Sequence, residues 1–451
     1  MWNGTEKVYI IGICGISLSA IAKILKSQGH AVAGSDTDMG EMSKDLERAG
    51  ISVYYGHNSC KLDDYDVVVY SAAIAEDNPE ILRAKKLHKK MLSRAQLLGQ
   101  ISKIFKTTIA IAGSHGKTTT TGMISTILIN SGHNPTIHIG GNFDKIGGNV
   151  RIGDSGIFVT EACEYKDSFL KLKPKISVIL GVQADHMDYF KKIENLQNSF
   201  NSFASNTKKR GAVIFDAGNK RSVQASKHAN CQQISVSGGK KSDHFATNAI
   251  SGKDGCYSFS YYENGKNLGR IYLSVPGKHN ITNALAAIAV ARFLGIDFST
   301  IQNSLYEFCG VDRRFQFVGR INGAKVFHDY AHHPTEIKAS IAAAREMKCK
   351  KLFVVFQPHT FSRTKSFFCR FASALSKADQ VVMYPIYPAR EQPIKGITSE
   401  ALSKKINEVG GKSVHFFTYA KIKEFLSDNV ASSDMVLILG AGDIVDLTKI
   451  I

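Results

Sequence analysis

Short apolar runs alternate along this chain with stretches in which apolar residues recur at helical spacing. The helical stretches cover residues 19–28, 80–100 and 283–294. Apolar runs of a few residues are typical of buried parallel strands. Such runs occur at residues 8–13, 31–34, 67–70, 109–112, 156–160, 176–180, 326–333, 352–356, 381–383 and 435–439. The alternation predicts an α/β fold built on doubly wound, mostly parallel sheets.

The length of 451 residues predicts about three domains. With 43% hydrophobic residues and 9 prolines, the chain has the composition of a globular protein. We place a Rossmann-like N-terminal domain at 1–103, a central P-loop mononucleotide-binding α/β domain at 104–312 and a Rossmann-like C-terminal domain at 313–451. The polar segment 205–272 is interpreted as a peripheral antiparallel part of the central domain.

The strongest chemical signal is a glycine-rich turn between the predicted strand 109–112 and a helical pattern. It reads Gly113, Ser114, His115, Gly116, Lys117, Thr118 and Thr119. Glycines let backbone N–H groups close around phosphate oxygens, and a lysine there reaches the β- and γ-phosphates. Thr118 would offer its hydroxyl to Mg²⁺. The turn is shorter by two residues than the common phosphate loop, but it still predicts a nucleotide site.

Acidic residues and a histidine follow two later strands. Glu161 directly follows the run 156–160. A second anchor for Mg²⁺ is expected at such a strand end after a phosphate loop. Asp185, His186 and Asp188 follow the run 176–180. Clustered carboxylates and imidazole at a strand end suit metal or phosphate chemistry, although a surface turn is the alternative.

The first strand leads into a second glycine turn, at Gly12 and Gly15. Asp36 follows about twenty residues later, a partial dinucleotide fingerprint. Such a turn binds the diphosphate of NAD or of a nucleotide-diphosphate sugar, or it has no ligand at all. Ser35 and Ser71 also lie at strand ends, where open α/β sheets bind ligands.

Charge and cysteine usage narrow the class of protein. The formal net charge is +18, but the excess is spread over residues 104–312 and 313–451 rather than gathered in a tail, and there is no aromatic-interleaved basic motif. We therefore expect small anionic substrates rather than nucleic acid. The 8 cysteines form no C-x-x-C pair, which favours a reducing compartment. With no apolar run long enough to cross a bilayer, we expect a cytoplasmic protein without a membrane partner.

Nine motifs, in order from end to end, resemble those of the Mur ligase family. They are GICGISLSAIAKIL, AGSHGKTTTT, TEACEYKDSFL, ADHMDYF, PGKHNITNALAA, DRRFQFVGR, DYAHHPTEI, FQPHTFSRT and GAGDI. The short G-x-x-G-K-[ST]-[ST] loop is this family's own form. The resemblance implies an ATP-dependent ligase that uses Mg²⁺ and joins L-alanine to the carboxylate of UDP-N-acetylmuramate through an acyl phosphate, as a monomer or dimer.

The resemblance also implies residue roles. Lys117 and His186 would be catalytic, and Thr118, Glu161 and His186 would hold the metal. ATP would lie on the loop from Gly113 to Thr119 and contact Asn280 and Asn283 at adenine, Asp329 at the ribose and Arg314 at a phosphate. The UDP-sugar would contact Gly12, Gly15, Ser35, Asp36 and Ser71, and Arg363 would bind the alanine carboxylate.

Several alternatives remain open on the sequence. A family member that adds a whole peptide to the same UDP-sugar is the nearest, because Glu164-Tyr165 is similar to that group. A folate-glutamate ligase usually lacks the leading domain. A non-catalytic scaffold has no need of Lys117, Thr118 and Glu161 together, and an NAD enzyme leaves the phosphate loop without a role.

Overall fold

The structure, a computed structural model, describes residues 6–37, 39–57, 60–71, 73–389 and 391–451; the side chain of Asp188 lies outside this description. The chain forms two compact units, each described by itself. The first comprises the chain up to Phe245 with Glu263–Lys266 and Thr282–Ser304. The second comprises Ala246–Tyr262, Asn267–Ile281 and Leu305–Ile451.

The N-terminal sheet has five parallel strands and the predicted Rossmann-like arrangement. Its order is β3-β2-β1-β4-β5. The order reverses beside β1, and ligands of open sheets bind at such a point. The elements are β1 (Lys7–Ile11), α1 (Ile16–Ser27), β2 (Ala31–Asp36), α2 (Glu41–Arg48), β3 (Ser52–Tyr55), a 3₁₀ helix (Cys60–Asp64), β4 (Val67–Tyr70), α3 (Pro79–Lys86), β5 (Lys90–Ser93) and α4 (Arg94–Ile104).

The prediction of one helical segment over residues 80–100 is wrong. The structure has α3, then β5, then α4. His88 takes a positive φ of 49° after α3, and the chain then pairs with β4 through residues 90–93. Ser93 caps α4 by accepting from the N–H of Gln96, whose side chain accepts from the N–H of Ser93. Helical spacing of apolar residues hid this short strand because it contributes only one buried residue, Leu92.

The central strands form the second part of the first unit. Their order is β12-β11-β10-β6-β9-β7-β8, parallel except for the pair β7 and β8. The elements are β6 (Thr107–Ala112), α5 (Lys117–Asn130), β7 (Thr136–Phe143), a 3₁₀ helix (Asp144–Ile146), β8 (Gly148–Arg151), β9 (Ile157–Glu161), a 3₁₀ helix (Tyr165–Lys171), β10 (Ile176–Ile179), α6 (Met187–Phe190), α7 (Ile193–Ser205), β11 (Ala212–Asp216), α8 (Lys220–Ser226) and β12 (Gln232–Ser237).

The interpretation of residues 205–272 as an antiparallel appendage is wrong for its first part. Strands β11 and β12 continue the central sheet in parallel, because α8 carries the chain back between them. Most of β13 (His244–Ser251) belongs to the second unit, next to β14 (Cys256–Glu263) and β15 (Lys266–Pro276) in the order β15-β14-β13. Helices α9 (His279–Phe293) and α10 (Phe298–Glu307) contribute residues to both units.

The N-terminal sheet and the central strands share one apolar core. The same buried cluster contains Val8, Leu18, Ala110 and Phe158. Polar contacts supplement it, since the Asn149 amide donates to the Ile16 carbonyl and to Ser19 Oγ. A side chain at Gly99 would lie 2.5 Å from the Lys171 carbonyl oxygen, so helix α4 approaches the 3₁₀ helix too closely for one.

The C-terminal sheet forms most of the second unit. Its order is β16-β17-β21-β18-β19-β20, parallel except for β16, with apolar clusters on both faces. The elements are β16 (Gln316–Ile321), β17 (Ala324–Asp329), α11 (Pro334–Glu346), β18 (Leu352–Phe356), α12 (Phe361–Leu375), β19 (Gln380–Met383), α13 (Ser399–Glu408), β20 (Ser413–His415), α14 (Tyr419–Asn429), β21 (Met435–Leu439) and a 3₁₀ helix (Asp443–Lys449). Among the described residues, no helix combines the length and apolar character needed to cross a bilayer.

A buried histidine joins α1 to the central strands and should make stability depend on pH. His138 is 4% exposed, with 2.9 Å contacts to Ser17 Oγ and Thr160 Oγ1. Burial, with the nearby Arg94 charge, lowers the His138 pKa to about 3. His138 therefore becomes protonated below about pH 6.5 in the unfolded chain but only near pH 3 in the folded chain. The free energy of unfolding falls as the pH drops from about 6.5 towards 3.

We predict that His138→Gln removes part of this acid sensitivity. The stability advantage of the wild type over the variant should shrink by about 2 kcal/mol between pH 6.5 and pH 4.5. Urea unfolding at a series of pH values measures it. The exposed His228 supplies the control, since His228→Gln should leave the pH profile unchanged. Parallel profiles for the wild type and His138→Gln would contradict the assignment.

Candidate active site

The glycine turn that the sequence predicts to bind phosphate lies between β6 and α5. Strand β6 is buried along its whole length, flanked by β10 and β9. Gly113 and Gly116 have φ of 140° and 83°, and a Cβ on Gly116 would lie 2.5 Å from Asn283 Oδ1. Both positions thus need glycine. Ser114 fixes the turn, because its N–H donates to the Gly181 carbonyl at 2.7 Å and its hydroxyl to the Gln183 carbonyl at 3.1 Å.

Lys117 opens helix α5 and points back over the turn. Its Nζ donates to the Gly113 carbonyl at 2.6 Å and to Glu164 Oε2 at 3.0 Å. The two side chains are 18% and 1% exposed. Burial by itself lowers the pKa of Lys117, but the Glu164 carboxylate, aided by Cys163 and Glu161, outweighs it and raises the pKa above its ordinary value. The lysine is therefore a fixed positive charge at the helix start.

Glu164 also approaches two residues that follow β10. One ligand atom each from Glu164, Asp185 and His186 lies within 4.8 Å of the others. Asp185 is buried, and His186 takes a positive φ of 53° with its ring 4.8 Å from that of Tyr165. Two carboxylates and an imidazole at this spacing fit a divalent cation. The sequence predicted His186 here.

Glu161 faces a different neighbour. Its Oε1 accepts the Gly140 N–H at 2.6 Å, and a side chain on Gly140 would clash with the same carboxylate. Thr118 is buried in the first turn of α5. Of the predicted metal residues, the structure thus groups His186 with Glu164 and Asp185 and places Glu161 at Gly140. The side chain of Asp188 lies outside the described residues.

Sequence reasoning placed Asp185 in a cluster suited to metal or phosphate chemistry without naming it a ligand, and it assigned Glu164 no role in the site. The available signal was the spacing of Glu161 and Glu164 after a strand. Lys166 and Asp167, with φ of 52° and 55°, tighten the turn that follows. That turn brings Glu164 over the predicted phosphate loop, and no local feature of the sequence predicts this position.

The N-terminal glycine turn lies between β1 and α1, where the sequence predicts a diphosphate site. Gly12 has a φ of 79°, and Gly15 immediately precedes α1, which begins without a side-chain cap. Asp36 Oδ2 accepts the Cys14 N–H at 2.8 Å and holds the turn. Ser71, at the end of β4, accepts the Ala73 N–H at 3.1 Å.

Ser35 belongs to a buried polar cluster under this turn. Its hydroxyl donates to Glu80 Oε2 at 2.5 Å and lies 3.2 Å from His57 Nδ1. Glu80 is 1% exposed and also accepts from the Tyr9 hydroxyl at 2.8 Å. Ser35 is therefore held by protein partners at the strand end where the sequence predicts a ligand.

Asn283 and Asn280 fall in different units. Asn283 lies in the first unit against Gly116, as described above. Asn280 lies in the second, where its amide donates to the Pro276 carbonyl at 2.8 Å.

The second unit contains Asp329 and Arg314, which are predicted to contact the ribose and a phosphate of ATP. Asp329 ends β17 and accepts from Ser340 Oγ at 2.5 Å, while burial raises its pKa to about 6. The guanidinium groups of Arg313 and Arg314 lie 4.9 and 5.2 Å from the centre of the Tyr330 ring. The structure thus brings Arg314 and Asp329 to one strand end.

Arg363 lies in the first turn of α12. Its Nη1 is 3.3 Å from His359 Nδ1, and the His359 ring stacks on Tyr387 at 5.5 Å. Burial, with His332 and Arg363 nearby, lowers the His359 pKa to about 3. The imidazole beside Arg363 is therefore neutral at neutral pH.

Three family models match successive parts of the chain. They are "Mur ligase family, catalytic domain" at residues 7–106, "Mur ligase middle domain" at 111–291 and "Mur ligase, glutamate ligase domain" at 313–442. The chain is 43% identical to the UDP-N-acetylmuramate–L-alanine ligase of Agathobacter rectalis, over 98% of this chain and 96% of that protein. It is 44% identical to that of Clostridium kluyveri, over 97% and 96%.

Solved structures have the same architecture. The UDP-N-acetylmuramate-alanine ligase MurC of Thermotoga maritima superposes with a TM-score of 0.84 at 28% identity, over 98% of this chain and 97% of that chain. The murein peptide ligase of Psychrobacter arcticus gives a TM-score of 0.73 at 24% identity, over 98% and 97%. The second likeness supports the fold alone.

The contact at Gly116 predicts a loss of nucleotide affinity when that glycine is replaced. In Gly116→Ala the new methyl group meets Asn283, so the loop or Asn283 must move. We expect ADP affinity to fall at least about tenfold, which is about 1.4 kcal/mol. Calorimetric titration with ADP and Mg²⁺ measures it.

Gly132 offers a matched control at the other end of α5. It has a φ of 80°, and nothing lies within 4 Å of its hypothetical Cβ. Gly132→Ala should cost about 1 kcal/mol of stability through backbone strain, with unchanged ADP affinity. Equal ADP affinity in the two variants would contradict a specific role for the space at Gly116.

Proposed function

We propose that this chain, which belongs to the Mur ligase family, is an ATP-dependent ligase that joins L-alanine to the carboxylate of UDP-N-acetylmuramate in peptidoglycan synthesis. The observation that carries the proposal is the 43% identity over 98% of the chain to a relative with that name. The geometry is consistent with it, since a partly buried lysine lies over a glycine turn at the carboxyl end of a buried parallel strand.

The proposed reaction has two transfers. The sugar carboxylate attacks the γ-phosphorus of ATP, ADP leaves, and an acyl phosphate remains. The amine of L-alanine then attacks the acyl carbon, loses a proton, and displaces phosphate. Such chemistry depends on positioning and charge neutralisation more than on covalent participation of the protein.

The phosphate loop would supply most of that neutralisation. Lys117 would contact the β- and γ-phosphates, and the start of α5 would add N–H donors. Mg²⁺, held by Thr118, Glu161 and His186 with Glu164 and Asp185 beside them, would neutralise phosphate charge when bound. Asn280 and Asn283 would contact adenine, Asp329 the ribose and Arg314 a phosphate.

The substrates would bind at strand ends of the other two sheets. The turn at Gly12 and Gly15, held by Asp36, would bind the diphosphate of the UDP-sugar, with Ser35 and Ser71 beside it. Arg363 would bind the alanine carboxylate. We propose boundaries at 1–103, 104–312 and 313–451 for the three corresponding domains, and the ranges of the family models support this division.

An amino-acid panel tests the proposed activity. With ATP, Mg²⁺ and UDP-N-acetylmuramate present, we expect ADP release with L-alanine and little with the tripeptide L-alanyl-γ-D-glutamyl-meso-diaminopimelate. Lys117→Ala should abolish turnover, and Lys227→Ala, at an exposed position, should not. Tripeptide-dependent ADP release without alanine-dependent release would replace the proposal with a peptide-adding ligase.

A second prediction concerns the acceptor clamp. Arg363→Ala should raise the KM for L-alanine at least about tenfold, because a charge-assisted contact to the carboxylate is lost. The KM for ATP should stay within about twofold, since such a contact affects only the acceptor. Steady-state kinetics with each substrate varied in turn measures both, and the exposed Lys365 provides the control as Lys365→Ala. A defect confined to ATP would exclude Arg363 as the clamp.

A further inference from the structure

The charge of Lys117 is engaged by contacts within the protein. Its ammonium group contacts Glu164 Oε2 at 3.0 Å and Oε1 at 3.4 Å, besides the Gly113 carbonyl. Glu164 is 1% exposed, so water screens the pair little. A phosphate that approaches Lys117 would therefore compete with the Glu164 carboxylate for the same ammonium group.

Hydrogen bonds and aromatic packing hold the segment that carries Glu164. The Glu164 carbonyl accepts the Asp167 N–H at 3.0 Å, and Asp167 in turn accepts from the Tyr189 hydroxyl at 2.6 Å and from Ser199. Phe169, close behind, stacks on Phe203 at 4.7 Å between ring centres. Left-handed backbone at two successive non-glycine residues, Lys166 and Asp167, persists only where surrounding contacts hold it. The position of the carboxylate is thus determined by the fold.

Glu164 has a second set of neighbours that suits a cation. Asp185 and His186 offer ligand atoms within 4.8 Å of its carboxylate. A divalent cation there would compensate the same negative charge that Lys117 now compensates. The lysine and the cation are therefore alternative counter-ions for one buried carboxylate.

We propose that Glu164 is a positioning residue that makes nucleotide binding depend on metal: it holds Lys117 in the free enzyme and gives it up to the nucleotide phosphates when a divalent cation takes over its charge. The inference rests on the proposed function, because it assumes that nucleotide binds at Lys117. Metal-free nucleotide would be disfavoured by repulsion from an uncompensated carboxylate. The enzyme would then select the metal complex of the nucleotide.

The test compares ADP affinity with EDTA and with MgCl₂ by calorimetric titration. In EDTA, Glu164→Gln should bind ADP at least about tenfold more tightly than the wild type, since a neutral amide repels no phosphate. Added Mg²⁺ should strengthen ADP binding by at least about tenfold in the wild type and by much less in the variant. Equal ADP affinity of wild type and variant in EDTA would overturn the proposal.

Glu194→Gln is the control for loss of a carboxylate charge. Glu194 is exposed in the first turn of α7 and has no assigned role in the site, so its amide variant should bind ADP in EDTA as the wild type does. A gain of metal-free affinity in both variants would point to a general charge effect and overturn the specific role of Glu164.

Two further measurements keep the outcome readable. Glu164→Ala removes the carboxylate without requiring an amide to fit its place, and it should also bind ADP more tightly in EDTA; thermal unfolding checks that each variant folds. Wild-type protein that binds no ADP even with Mg²⁺ would refute the proposed function. If the wild type binds ADP but the Glu164 variants show the same dependence of ADP binding on Mg²⁺ as the wild type, the proposed role of Glu164 is refuted and the proposed function is not.

Discussion

The buried ion pair between Lys117 and Glu164 is the interaction on which the candidate site depends. Helix α5 begins without an acidic residue in its first turn and without a side-chain cap, so its N–H groups and the lysine add positive potential at one point. Burying such a charge alone would be very unfavourable, and a paired carboxylate offsets much of it. The fold therefore has to present Glu164 accurately, and the strained turn after β9 does this.

The N-terminal sheet and the central strands share an apolar core and are also joined by polar contacts. Helix α1 starts at the turn predicted to hold a diphosphate, and its first residues contact the central strands. Ser17 reaches His138, and His138 reaches Thr160, the neighbour of Glu161. The start of α1 is thus connected by two hydrogen bonds to the strand that carries a predicted metal ligand. The start of α1 could move independently of the predicted metal site only if these buried polar contacts broke.

Local chemistry explains which parts of this fold could be predicted. The strand, turn and helix around Lys117 have signals within a few residues of one another: a buried strand that ends in four apolar residues, obligatory glycines and a helix start. Strand β5 has only one buried residue and pairs with β4, which lies earlier in the chain, so local spacing concealed it. The parallel course of β11 and β12 depends on partners elsewhere in the sheet. Glu164 was missed for the same reason, because its role comes from a contact with a residue 47 positions away.

Burial of the strands limits where polar chemistry can be placed in the central and C-terminal sheets. Strands β6, β18 and β21 are buried along their whole length, so a polar side chain within them needs a partner inside the protein, as Thr108 has in the Ser102 carbonyl. Their carboxyl ends are the first positions where a polar group can meet both the protein and a ligand. Asp329 shows the consequence: at the end of β17 it is still buried enough for its pKa to rise to about 6. A charged group at such an edge is destabilised unless a partner arrives, and a ligand that carries the opposite charge or a hydrogen-bond donor is then bound more strongly than at an exposed surface.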